Sequence, residues 1–98
     1  IKKFQSQLSR QEVFLMGANN LKPARLSEKL KQIRMKSKLS QNELLEKLGF
    51  SQILFQGNIS QYEFGRREPP LPVLLAYARL AGVTVDILID DTQDLILN

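Results

Sequence analysis

The 98-residue chain contains no cysteine and no histidine. Disulfides, thiolate nucleophiles, histidine metal ligands and imidazole acid–base catalysis are therefore excluded. No apolar run approaches the roughly 20 residues that a membrane-spanning helix needs. The first residues also lack the apolar core and small-residue cleavage site of a secretory signal. The chain reads as intracellular, with no membrane partner. Its carboxylates Glu43, Glu46, Glu63 and Glu68 are scattered, and helix caps and ion pairs explain them. Neither a glycine-rich phosphate loop nor a metal-ligand spacing is present, so an enzyme is the weakest function class and no catalytic residue, metal or cofactor is expected.

What is present suits one small folded domain. A chain of this length cannot support two separate cores. Its 43% hydrophobic and 24% charged content sits near ordinary globular usage, which excludes disorder throughout. The formal net charge is +4, and it is unevenly distributed. Lys22 to Pro70 carries ten Lys/Arg against five Asp/Glu, or +5, whereas Leu71 to Asn98 sets Arg79 against Asp86, Asp90, Asp91 and Asp94, or −3. Such asymmetry fits a first half that meets phosphate and a second that meets something else, such as another copy of the chain. A solvated surface is the plainer alternative.

Residues 1–21 show no clean periodicity and read as an N-terminal extension, a short helix or in part a fusion-derived segment. Regular spacing begins at Pro23, which suits a first helical turn. Leu26, Leu30 and Ile33 then recur at helical intervals, with Lys29, Lys31 and Arg34 interleaved as the polar face. Ser40-Gln41-Asn42-Glu43 fits the capping box that starts a helix. Leu44, Leu45 and Leu48 supply that helix's buried stripe, and Gly49 supplies its left-handed end. Ile59 and Tyr62 mark the inner side of a short third helix that stops at Gly65, ahead of Pro69-Pro70. Pro72 opens a fourth helix with Leu71, Leu74, Leu75, Ala78 and Ala81 as its stripe, ending at Gly82. Thr84 is the expected N-cap of a last helix carrying Val85, Leu88 and Ile89. No segment alternates with a period of two, so the fold expected is all-α, a compact bundle of about five helices. The organisation expected is an extension over 1–21, a domain over 22–90 and a tail over 91–98.

The second and third helices form two short segments joined by a turn, the unit that places an exposed helix face in the DNA major groove. Leu39-Ser40-Gln41-Asn42-Glu43-Leu44-Leu45-Glu46-Lys47-Leu48-Gly49, followed by Ile59-Ser60-Gln61-Tyr62-Glu63-Phe64-Gly65-Arg66-Arg67-Glu68-Pro69, resembles the phage-repressor and Cro-like helix-turn-helix (XRE) family. The stretch from Leu74 to Leu88 is similar to that family's fourth and fifth helices. The resemblance covers about Leu26 to Asp90 and implies a lambda-repressor-like domain, carried here behind an N-terminal extension. It also implies double-stranded DNA as partner, a homodimer on an inverted repeat, and a cytoplasmic, nucleoid-associated setting in a prokaryote or phage. An antitoxin with a toxin partner, a restriction-modification controller and a phage repressor all fit it.

Carried over position by position, the resemblance implies DNA-backbone contacts from Ser40, Gln41 and Asn42, where helix N–H groups and positive partial charge favour phosphate, and implies that Gln41 also buttresses the third helix. Ser40 is read first as the cap. Gln56, Asn58 and Gln61 match outward-facing recognition positions and are the candidates for base contacts, since amides pair with adenine N6 and N7. Asn58 has capping the third helix as its alternative. Gly57 suits either close backbone approach to DNA or a turn conformation. Arg66 and Arg67 are read as neutralising phosphate, with Lys38, and less firmly Lys36, adding to the footprint. Arg34 and Glu63 match a pair that bridges the first helix to the third.

One departure from the family pattern is Ser51-Gln52-Ile53-Leu54-Phe55, about four residues more than the tight turn. They extend the second helix, tuck into the core or form a partner contact, and the third helix begins near Gln56 or, alternatively, at Asn58. Ile87-Leu88-Ile89 and Leu95-Ile96-Leu97 suit a dimer seam, with core packing an equal reading of the first cluster. The competing function is a helical protein-interaction module that keeps the fold without specific DNA binding.

Overall fold

The computed structural model describes residues 21–97, so nearly all of the expected N-terminal extension lies outside the described residues. Five helices follow in order: α1 Leu26–Lys36, α2 Gln41–Leu48, α3 Gln56–Glu63, α4 Leu71–Ala81 and α5 Val85–Ile89. No strand occurs among the described residues, and the all-helical bundle is the one the periodicity predicts.

Local sequence sets the limits of α2. The Glu43 N–H donates to Ser40 Oγ at 3.0 Å, and the Ser40 N–H donates back to Glu43 Oε1 at 2.8 Å, a complete capping box. Those bonds from Ser40 hold the Glu43 carboxyl below its ordinary pKa. At the other end Gly49 takes φ 84°, which a side chain would resist.

Three helices depart from expectation in instructive ways. Pro23 does not open α1, which begins at Leu26. The Ala24 and Arg25 N–H groups instead donate to the Asp91 carboxylate at 2.8 and 3.1 Å, so a distant residue holds the chain in a turn there. In α4 the buried side consists of Val73, Leu74, Tyr77 and Ala78, while Leu71 and Leu75 are exposed. Leu74 and Ala78 are buried as expected, but the helix is apolar around much of its circumference, and packing turned the buried side toward Val73 and Tyr77. Thr84 does stand at the N-cap of α5 but makes no side-chain cap; its hydroxyl bonds the Asp86 carboxylate instead.

α1 packs against α3, α4 and α5, and α2 packs against α3 and α4. Leu30, Ile33, Leu44, Ile59, Tyr77 and Leu88 form the most deeply buried part of the core. Leu88 thus belongs to the core, while Ile89 and Ile96 keep exposed faces.

Lys29, expected on the polar side of α1, is only 1% exposed. A buried ammonium is tolerable when its three donors are matched. Here Nζ donates to the carbonyls of Ile87, Asp90 and Gln93 at 2.7, 3.0 and 2.8 Å. It therefore supplies charge and hydrogen bonds at the C-terminal end of the five-residue α5, where carbonyls lack intrahelical partners. The residues after α5 fold back over α1: Arg25 pairs with Asp94 at 2.7 Å, and Leu95 and Leu97 pack against the core.

Candidate nucleic-acid interface

The seven residues from Gly49 to Phe55 separate α2 from α3 and form a turn of their own rather than a continuation of α2. The Phe50 carbonyl accepts from the N–H groups of Ile53 and Leu54 at 2.9 and 2.8 Å. Phe50 and Leu54 pack against the core. Ile53 and Phe55 do not follow them inward; they are 69% and 78% exposed. The added length is accommodated by a one-turn detour anchored by Phe50 and Leu54, which leaves α3 docked on α1 and α2.

α3 begins at Gln56, the earlier of its two expected starts. Asn58 acts at this start: its Oδ1 accepts from the Phe55 N–H at 2.8 Å. Phe55 has no side-chain acceptor with which to complete a reciprocal box, so the cap is one-sided. Ile59 and Tyr62 turn into the core, leaving Gln56, Gly57 and Gln61 exposed.

A run of side-chain hydrogen bonds joins the starts of α2 and α3. Gln56 Nε2 donates to Gln41 Oε1 at 3.2 Å, and Asn42 Nδ2 donates to Gln56 Oε1 at 3.5 Å. Gln41 Nε2 donates in turn to Glu63 Oε1 at 3.4 Å. Glu63 receives Arg34 Nε at 2.6 Å and Nη2 at 3.0 Å, a bidentate pair largely shielded from water. Arg34 Nη1 also donates to the Leu39 carbonyl at 3.0 Å, tying the turn before α2 into the same arrangement. The bonds to Glu63 raise the Arg34 pKa further. Tyr77 is wholly buried, and its hydroxyl has no hydrogen-bond partner among the described residues. Burial first, and Glu63 second, push its pKa well above the ordinary range.

The cap of α2 engages the N–H groups of Ser40 and Glu43 and leaves those of Gln41 and Asn42 without a partner among the described residues. Those two groups, at the positive end of the helix dipole, are suited to a phosphate oxygen. Ser40 is already engaged through both hydroxyl and N–H. Lys38 is exposed in the turn before α2, with φ 57°. Beyond α3, Arg66 and Arg67 are exposed, and the Arg66 guanidinium lies 5.3 Å from the centre of the Phe64 ring. Their N–H groups return to the Gln61 carbonyl at 2.9 and 3.4 Å, which keeps the two arginines at the end of α3.

Of the readings left open for the added residues, neither extension of α2 nor burial holds for Ile53 and Phe55, which stand exposed as does Phe64, a residue sequence reasoning passed over. No local signal separates an exposed apolar residue from a buried one at such positions. The resemblance implied that Gln41 supports the third helix, and its bonds to Gln56 and Glu63 do so, although Glu63, 22 positions away, was not named as its partner.

Two short helices hydrogen-bonded together at their starts, the second presenting exposed amides and followed by two exposed arginines, define a helix-turn-helix DNA-binding module. The profile of the Helix-turn-helix family matches residues 30–88, more than half of the chain. The chain belongs to that family, among the DNA-binding regulators of the phage-repressor and Cro-like type. Its structure is similar to that of the P22 c2 repressor protein in complex with synthetic operator 9T in the presence of Tl+. The two are 29% identical, the match covers 67% of this chain and 94% of that one, and the TM-score is 0.58. No curated protein matches the chain.

Proposed function

We propose that this protein binds double-stranded DNA sequence-specifically with α3 in the major groove, and that it represses transcription as a homodimer on an inverted repeat. The observation that carries the reading is the amide interlock of Gln56 with Gln41 and Asn42. It places a base-reading candidate against the helix start whose N–H groups suit phosphate, which brings backbone positioning and base readout to one surface. Gln56 and Gln61 read base edges, Asn58 secures the start of α3, and Arg66, Arg67 and Lys38 neutralise phosphates. The P22 c2 repressor, crystallised with an operator, supports the same use of this fold. Dimerisation is favoured because one small module seldom has enough surface to select a single genomic site. Ile89 and Ile96, exposed beside acidic residues, suit the seam.

The test is selection of duplex fragments from a random library by the purified protein, followed by titration of the best fragment with Gln56→Ala and Gln61→Ala. A palindromic winner whose preference is lost in the variants is expected. Enrichment no better than for unrelated duplex would replace this reading with that of a protein-interaction module.

A further inference from the structure

Gly57 is the second residue of α3 and is exposed. Gly49, Gly65 and Gly82 all adopt positive φ, between 71° and 84°, which accounts for glycine at each. Gly57 does not, which removes the turn conformation as its reason. A Cβ built on it meets nothing within 4 Å among the described residues, so their packing does not demand its absence either. Glycine is a poorer helix former than alanine. Among the described residues, then, neither backbone conformation nor packing accounts for the bare position.

Its neighbours suggest what it does serve. Gln56 is tethered to Gln41 and Asn42, and Asn58 to the Phe55 N–H. Neither amide is free to extend far from the helix, so base edges come within reach only if the helix itself comes close. A major groove about 12 Å wide scarcely exceeds a helix with its side chains, about 10–12 Å across, so one missing side chain on the leading face alters how deeply the helix seats.

We propose that Gly57 is a specificity-determining residue through its lack of a side chain, allowing the first turn of α3 to seat against the base edges. This rests on the DNA-binding reading above. The closest approach of protein backbone to DNA then falls at Gly57, and Gln61, one turn further along, reads the adjoining bases.

The experiment compares the full chain with Gly57→Ala, using the duplex selected by the unaltered protein and an unrelated duplex of equal length. The variant is expected to melt a few degrees higher, because alanine strengthens the helix without a clash. It is expected to bind the selected duplex about tenfold more weakly, comparable to a mismatched base pair, with binding to unrelated duplex unchanged. Undiminished affinity for the selected duplex would overturn the proposal while leaving the DNA-binding reading intact. A lower melting temperature would also overturn it, by showing that the fold requires glycine. If the unaltered protein selects no duplex, both readings fall together.

Discussion

Glu63 in the last turn of α3 binds Arg34 of α1 through two hydrogen bonds, of 2.6 and 3.0 Å, and the same carboxylate accepts from Gln41 of α2 at 3.4 Å. One side chain thereby sets the relative position of three helices. Glu63→Ala leaves the Arg34 guanidinium with little solvent and no counter-charge. We expect a loss of about 3 kcal/mol in unfolding free energy, measured by urea titration. Joint replacement by Arg34→Met and Glu63→Leu should recover much of it, since removing both charges leaves neither uncompensated. DNA selectivity should stay impaired in the double variant, because Gln41 has lost its anchor.

Lys29 offers a second test, of how α5 is held. Lys29→Met keeps the apolar stem but removes the donor from the carbonyls of Ile87, Asp90 and Gln93. Stability should fall by about 3 kcal/mol, the scale of losing charged hydrogen bonds at a buried site. Amide exchange should accelerate more in α5 than in α2, whose own caps are untouched. Equal acceleration in both helices would count against a local role.

Tyr77→Phe should run the other way. The hydroxyl is buried and unpartnered among the described residues, so its removal sacrifices no bond and relieves desolvation. The expected change is a gain of up to about 1 kcal/mol, read from the urea midpoint. A clear loss would imply an ordered water at the site.

The dependence of stability on pH has a definite sign. The Asp90 carboxylate accepts from the Thr92 hydroxyl at 2.6 Å, the Gln93 amide at 2.9 Å and the Thr92 N–H at 2.9 Å, which lowers its pKa to about 2. Bonds from the Ala24 and Arg25 N–H groups likewise lower Asp91. A carboxyl whose folded-state pKa is depressed stabilises the fold above the unfolded value, near 4 by the usual figure for Asp, and loses that contribution as pH falls toward the folded value. Melting temperature should therefore decline from about pH 4 to about pH 2. The decline should be shallower in Asp90→Asn.

Arg66 and Arg67 should show themselves through salt. If each neutralises one phosphate, Arg67→Ala reduces the slope of log affinity against log salt by about 0.9 without changing which duplex is preferred. Arg66→Ala should do the same. A changed preference would instead indicate that the arginine touches bases.

Much of this protein was legible in its sequence because the controlling physics is local. The Ser40 and Glu43 box, the left-handed glycine at Gly49 and the leucines of α2 act within a few residues of one another, and so their positions along the chain suffice to place that helix. The chain order of motifs likewise indicated five helices and the side of the molecule that carries Gln56, Gln61, Arg66 and Arg67.

Only the tertiary structure decided matters that depend on partners distant in the chain or on a choice between equivalent faces. Lys29 looks like any solvated lysine until the backbone of α5 and the residues after it arrive to accept its three hydrogen bonds. Val73 and Tyr77 displaced Leu71 and Leu75 because both registers of α4 were apolar and only packing could choose. Ile53 and Phe55 stayed outside because the turn from Phe50 to Leu54 directs Phe50 and Leu54, not their neighbours, toward the core. Local hydrogen bonding and periodicity act over a few residues and can be read along a chain, whereas burial is settled by whichever surfaces the folded helices bring together.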